Sequence, residues 1–443
     1  MEADVWRELR GAEPGLAERW HGVRSQGRPD GSSPGSAPLS MGDIARLKKS
    51  FGASIARFAS LQDELHRRAA RRFPDGRIGF WTMKGLEQAT PAAVADYRAL
   101  RFADTLGPEA SQGAQIVWDA CCGVGSDAVA LFRRGCSVLA TDWDADTARC
   151  AAANLQWESD RGATPGSFAA ALRCDLRQPP LQASALASAL VLLDPDRRPD
   201  GEHREPRPER WAPSLAATLD LAYTARGACV KLPPSLDATA AALDQDPRQA
   251  TSLEWISLDG EMKELALWTG ALAGTAPGRT ATALGKGHGL AQYTGGNPHR
   301  PLPEPWPLAE VRAGRWLVEL DPTLWQSELA GDFCFAHGLA PIETELRGMF
   351  LVAEEAPDSP LARAWPILDA MGADRKRVRA ALRQHGIGPL TVKKRNHPKT
   401  SEQLEVAFRG DGRDGGRSHG LLAVFRVPSG SAALILGPGG EQA

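Results

Sequence analysis

Apolar residues recur at two distinct spacings along this chain, and the change from one to the other marks its organisation. Ile44, Leu47, Phe51, Ile55, Phe58, Leu61 and Leu65 fall three or four positions apart among charged neighbours. That is the period of amphipathic helices, and it predicts a helical subdomain over 43–110. Thr90-Pro91 predicts a further helix running to about Ala103, with the hydroxyl as cap and proline as first helical residue. From about residue 115 short apolar runs take over: 115–119, 137–142, 169–174, 189–194 and 227–232 read as strands, with helical stretches between them. Strands alternating with helices predict a parallel α/β sheet over 111–275. Residues 253–258, then Asp259-Gly260, then 261–268 predict a hairpin that adds an antiparallel strand to it.

Residues 1–42 read as an N-terminal segment whose Gly-, Ser-, Pro- and Arg-rich part, 22–42, is a linker. Residues 276–310, within a Gly- and Pro-rich stretch starting near 270, read as a connector of little regular structure. A final α+β domain is expected over 311–443, with a helix near 360–386 and strands at 387–394, 403–408, 421–427 and 432–436.

At 443 residues the chain exceeds one ordinary core, so several domains are expected. Its 42% hydrophobic and 24% charged content is that of a soluble globular protein. A net charge of −2 supplies no global attraction to nucleic acid or membrane, so any such affinity must be local. No apolar run approaches the ~18 residues of a membrane span, and the acidic start lacks a signal-peptide core. Seven cysteines without framework spacing predict free thiols in the cytoplasm, and the absence of C-x-x-C or His/Cys clusters argues against a metal site.

The stretch 116–127, Ile-Val-Trp-Asp-Ala-Cys-Cys-Gly-Val-Gly-Ser-Asp, carries the chemistry. An apolar strand ends in Asp119, and Gly123 and Gly125 then lead into a helix expected to be capped by Ser126 or Asp127. Glycines let a ligand lie against the backbone, and the helix start offers unpaired N–H groups. Gly123-Val-Gly-Ser-Asp-Ala128 also satisfies the dinucleotide fingerprint, with Asp142 about 20 residues on. In that fingerprint the first glycine follows the strand directly, whereas here Asp119 and a three-residue spacer intervene. Asp127 would also repel a pyrophosphate at the helix start. The acidic strand end favours a ligand with a cationic or hydroxyl-rich end, and the loop resembles the nucleoside-amino-acid pocket of class I S-adenosylmethionine (SAM) methyltransferases, which implies SAM as cofactor. Cys121 lies inside the same loop.

Asp142, ending the second strand, is placed to accept hydrogen bonds from ribose hydroxyls, with Trp143 beside it to stack on adenine. Asp175, closing the third strand, is a candidate acceptor for the adenine amino group, or else a turn aspartate. Asp194-Pro195-Asp196-Arg197 follows the fourth strand, where substrate meets cofactor in open α/β sheets. Many SAM enzymes that methylate an exocyclic amine carry Asp/Asn-Pro-Pro followed by an aromatic residue here. Asp194 and Pro195 keep that pattern, whereas Asp196 and Arg197 depart from it. Asp194, Pro195 and Arg197 are the catalytic candidates, and Trp211 or Tyr223 would have to supply a stacking ring. The cysteines read as small buried side chains, not nucleophiles. Between Arg375 and Lys399 nine Lys/Arg and no acid occur, among them Lys393, Lys394 and Arg395. Such a segment suits a phosphate backbone or a solvated face.

Phe80-Trp-Thr-Met-Lys-Gly-Leu-Glu-Gln-Ala-Thr90, Asp119–Asp127, Asp194–Arg198, Glu254-Trp-Ile-Ser257, Gly260-Glu-Met-Lys-Glu264 and Gly386-Ile-Gly-Pro-Leu-Thr-Val-Lys-Lys-Arg395 occur in order. That succession resembles the bacterial class I SAM-dependent methyltransferases with a C-terminal THUMP-like domain, over about 50–436. The resemblance implies a Rossmann-like seven-stranded sheet, SAM as cofactor and RNA as substrate, since THUMP domains bind RNA. It also implies that the segment reaching Thr90 covers the cofactor's methionine end. It does not name the nucleotide. The leading expectation is methylation of a base nitrogen in RNA. A non-catalytic SAM- and RNA-binding protein, or a methyltransferase of a small molecule or protein, stays open.

Overall fold

The computed structural model describes residues 39–76, 78–107, 116–162, 166–198, 203, 205–243, 248–274, 278–285, 289–343, 350–409, 418–428 and 430–438. The segment and linker expected over 1–42 therefore lie, up to residue 38, outside the described residues. The chain forms two compact units: 1–232 with 236–252 and 266–277, and 233–235 with 253–265 and 278–443.

In the first unit, α1 (Met41–Phe51) opens with a reciprocal Ser40–Asp43 capping box, and Gly52 at φ 89° separates it from α2 (Ala53–Ala69). After α3 (Met83–Gln88), α4 (Ala92–Leu106) begins one residue beyond Pro91. Thr90 is not its cap: no side chain caps this helix, and the Thr90 hydroxyl is spent inside the protein. Next come β1 (Ile116–Asp119), α5 (Ser126–Arg133), β2 (Ser137–Asp142), α6 (Ala145–Asp160), β3 (Ala169–Arg173), α7 (Ala183–Ser188), β4 (Leu190–Leu193), α8 (Leu215–Thr224) and β5 (Gly227–Leu232). β1 pairs in parallel with β2 and β4, β2 with β3, and β4 with β5. β4 and β5 are buried at every position, as strands covered on both faces must be, whereas edge strand β3 is half exposed.

The sheet continues through β6 (Thr251–Leu258), β7 (Glu261–Gly270), β8 (Arg279–Gly285) and β9 (Gly289–Thr294), in the order β3-β2-β1-β4-β5-β7-β6-β8-β9. Asp259 and Gly260 both have positive φ, the backbone of a two-residue hairpin turn. The sheet thus has nine strands instead of seven. The additional pair, β8 and β9, occupies 279–294, where the Gly and Pro content obscured the alternation of Thr280, Thr282 and Gln292 with buried Ala281, Ala283 and Ala291.

The second unit also holds a seven-stranded sheet, β11-β12-β10-β13-β16-β15-β14. Its elements are β10 (Trp316–Leu320), α9 (Pro322–Gln326), α10 (Ala330–Ala336), β11 (Ala340–Pro341), β12 (Leu351–Ala353), β13 (Ala362–Gly372), α11 (Arg375–Gln384), β14 (Ile387–Arg395), α12 (Ser401–Phe408), β15 (Ser418–Val427) and β16 (Gly430–Leu436). Two expectations are corrected here. Residues 362–372 are a strand and not the start of a long helix, in keeping with Pro366, which a helix interior rejects. Residues 403–408 belong to helix α12, started by a Thr400–Gln403 capping box that the local sequence carries. α11 and α12 cover one face of the sheet through Val378, Leu382, Leu404 and Phe408. Among the described residues no helix is long and apolar enough to cross a membrane.

Candidate active site

The carboxyl ends of β1 and β4 and the glycine loop meet in the first unit. Gly125, in the left-handed region at φ 89°, is the helix N-cap of α5 in place of the expected Ser126 or Asp127. The two glycines differ in purpose. A Cβ on Gly125 would press on Ala151 of α6 at 3.3 Å, so this glycine serves helix packing. A Cβ on Gly123, at φ 54°, would meet nothing within 4 Å, so open space lies beside its backbone.

The segment before α4 is clasped onto this loop. Asn154 donates to the carbonyls of Val124 at 2.8 Å and Phe80 at 3.0 Å, and accepts from the N–H groups of Gly79 at 2.9 Å and Phe80 at 2.8 Å. Gln62 of α2 exchanges two hydrogen bonds with the Trp81 backbone, at 2.7 and 2.9 Å. Gly85 of α3 lies where any Cβ would overlap the Val124 side chain.

Below the loop lies a network of buried charges. Asp119 is 1% exposed, and among the described residues its Oδ2 has no hydrogen-bond partner. Burial, with Asp127 and Asp194 nearby, pushes its carboxyl well above the usual range. Asp127 is turned inward: Arg98 donates to its Oδ1, the Thr90 hydroxyl to Oδ2 at 2.7 Å, and Lys231 approaches Oδ2 at 3.4 Å. Burial raises this carboxyl, but the Arg98 and Lys231 cations outweigh it and hold it below its ordinary value. The Lys231 ammonium also donates to Thr90 Oγ1 at 2.8 Å and pairs with Asp194 Oδ2. Asp127 and Asp194 thus share the cations Arg98 and Lys231, while Asp119 lies beside them with one oxygen left for a donor.

Asp142, at the end of β2, accepts the N–H of Gly123 at 3.0 Å and of Asp144 at 2.9 Å. Burial raises its carboxyl, partly offset by those two donors. Trp143 beside it is 67% exposed, an aromatic face free to receive a planar ligand. Asp175 is engaged differently: Arg177 clamps both its oxygens, and the pair holds its carboxyl at about 2. Its carboxylate is thus tied into a surface turn. Cys121 is half-buried in the loop, and burial pushes its thiol well up, away from nucleophilic use.

Asp194 follows β4 and is partly exposed, Pro195 is buried and Arg197 half-buried. Asp196 is engaged elsewhere, pairing with Lys84 of α3 at 2.8 Å and accepting the Arg198 N–H at 2.8 Å. Trp211 and Tyr223, the expected stacking rings, are both buried, with Trp211 donating to the Glu205 carbonyl at 2.9 Å and Arg248 lying 4.3 Å over Tyr223. Neither is a platform for a base. Lys231, Arg98, Lys84 and Asn154 were not among the residues singled out from sequence. Lys231 alone carried a signal, as a charge inside an otherwise apolar strand.

In the second unit the basic segment divides. Lys393 and Arg395 pair with the half-buried Glu319 at 2.6 and 2.8 Å, and Lys393 lies 4.5 Å over the Trp365 ring. Lys394 donates to the His397 carbonyl at 3.1 Å. Arg375, Lys376, Arg377 and Arg383 of α11 and Lys399 are exposed.

Residues 362–438 match the family model described as THUMP domain-like. Over 326 residues the chain is 28% identical to proteins of two Mycobacterium tuberculosis strains, CDC 1551 and H37Rv, each described as an uncharacterized S-adenosylmethionine-dependent methyltransferase. The match covers 72% of this chain and 79% of each relative. A solved protein of Porphyromonas gingivalis W83, assigned as a methyltransferase, shares the fold over 95% of this chain and 96% of its own, at a TM-score of 0.66 and 16% identity.

Proposed function

We propose that this chain, a SAM-dependent methyltransferase with a C-terminal THUMP-like domain, methylates a base nitrogen of RNA. The observation that carries the reading is the partly exposed Asp194, held through one oxygen at the end of β4 beside the buried Asp119, whose Oδ2 has no hydrogen-bond partner among the described residues. The residues present fit SAM: Asp119 has a free buried acceptor for a cationic end, Gly123 borders open space, and Asp142 with the exposed Trp143 suits a nucleoside. When bound, SAM supplies a methyl carbon on a sulfonium, which passes to a nitrogen lone pair as the carbon–sulfur bond breaks, S-adenosylhomocysteine leaves and the nitrogen sheds one proton.

The chain's own part is alignment. Asp194 accepts a hydrogen bond from the substrate N–H, which orients the nitrogen lone pair and gives its departing proton an acceptor. The buried Pro195 stiffens the turn behind it. Arg197 replaces the missing ring, because a guanidinium plane stacks on a base as an aromatic does. RNA as substrate is supported by the THUMP-like match and by the exposed cations of α11. We propose a cytoplasmic setting, in keeping with seven free cysteines.

The test compares modified nucleosides by mass spectrometry in RNA from cells with and without this chain. The expected result is one methylated base that disappears with the chain and returns when the purified protein and labelled SAM are added. Identical nucleoside profiles would sink the RNA reading.

A further inference from the structure

We infer that Lys231 is a positioning residue for methyl transfer, setting the orientation of Asp194 and acting through that carboxylate. The inference rests on the methyltransferase reading above. Lys231 lies near the end of β5, between Val230 and Leu232, which are buried on a strand with no exposed position. An ammonium in such a place is costly unless all its donors are used. Its three donors find three acceptors: Asp194 Oδ2, Thr90 Oγ1 at 2.8 Å and, more distantly, Asp127 Oδ2 at 3.4 Å.

The parallel register explains why the lysine reaches Asp194. Leu193 of β4 pairs with Val230 of β5, so the next residue on each strand, Asp194 and Lys231, come side by side. Asp127 does not rely on the lysine alone, since Arg98 binds its other oxygen and the Thr90 hydroxyl donates to its Oδ2. Asp194 does: among the described residues Lys231 is the cation paired with it, and 31% of its side chain remains exposed. Fixing Oδ2 from inside the protein leaves Oδ1 as the oxygen to meet a substrate N–H, in one orientation. Apolar residues in place of both Lys231 and Asp194 would serve packing at least as well, so stability alone does not account for the pair.

The test is a double-mutant cycle of Lys231→Met and Asp194→Asn. It is read by single-turnover methyl transfer from labelled SAM to total RNA of cells lacking the chain. Calorimetry measures SAM affinity alongside. Each single variant is expected to slow transfer ~100-fold, the order expected for a misplaced reacting group, with SAM affinity within about threefold of wild type. The double variant is expected to be no slower than the slower single, because both remove one function. Losses that multiply, or a wild-type rate in Lys231→Met, would overturn the inference. If Lys231→Met does not fold, Lys231→Arg keeps a buried cation while moving its donors, and is expected to show the same non-additivity with a loss of ~10-fold. If the wild type methylates no RNA, the cycle is run on protein and metabolite extracts. Activity there overturns the RNA reading and tests Lys231 on that substrate. Inactivity with all three overturns both readings.

Discussion

Asn154 donates its side-chain amide to the carbonyl of Val124 at 2.8 Å, from a position in α6 that is wholly buried. The same side chain holds Gly79 and Phe80, so one residue binds the glycine loop to the segment that lies over it. Asn154→Leu would remove four hydrogen bonds to buried backbone groups. At ~1–3 kcal/mol for each unsatisfied group, a loss of about 3 kcal/mol or more is expected in urea unfolding. A loss below about 1 kcal/mol would show that water replaces the amide, and that the clasp is not held by it.

Gly85 offers a second view of that clasp. Alanine is the better helix former by ~1 kcal/mol, yet a methyl here overlaps Val124. Gly85→Ala is therefore expected to destabilise by ~1–3 kcal/mol and to weaken SAM binding. Adding Val124→Ala should restore part of both. If the double variant is no better than Gly85→Ala, the close approach is not the cause.

Asp119 should show opposite effects on stability and binding. Its carboxyl is raised in the folded protein, so folding carries the cost of a buried charge, full above that raised value and relieved as pH falls from it to the ordinary carboxylate range. Asp119→Asn should then raise the melting temperature at neutral pH. It should also weaken SAM binding by about 2 kcal/mol, the scale of a hydrogen bond to a charged group. In the wild type, SAM affinity should rise with pH through the raised value, since the charged form meets the cation, and the variant should lack that rise. Calorimetric titration across pH checks both, and an equal pH dependence in the variant would remove Asp119 from the pocket.

The two parts of the basic segment should separate by measurement. Replacing Arg375, Lys376 and Arg377 with Ala should weaken RNA binding and flatten its salt dependence by ~0.7 for each phosphate no longer neutralised. Stability should fall by no more than ~1 kcal/mol, since these side chains are exposed and the Arg375 hydrogen bond to the Ala407 carbonyl, at 3.0 Å, is at the surface. Lys393→Ala with Arg395→Ala should instead destabilise by ~2–4 kcal/mol, because Glu319 would lose both partners. The reverse pattern would return the phosphate-binding role to the β14 lysines and arginine.

Local pattern was enough for much of this protein. The strands of the parallel sheet, the Asp259-Gly260 turn, the glycine loop and Asp142 are specified by contiguous residues whose period, turn chemistry or strand-end position has one physical solution. Where local preference was ambiguous, tertiary packing decided: β8 and β9 formed because a sheet edge was there to receive them, and 362–372 became a strand between β10 and β16. The charge network lay beyond local reading altogether. Thr90, Arg98, Asp127, Asp194 and Lys231 come from five separate elements or loops, and taken alone they read as a cap, a helix surface charge, a helix-start acid, a strand-end catalytic candidate and an anomaly, with nothing to join them. Only the parallel register of β4 and β5, with α4 laid against α5, brings them together. Burial then makes their partners obligatory, because an ion removed from water must find its counter-charge within the fold.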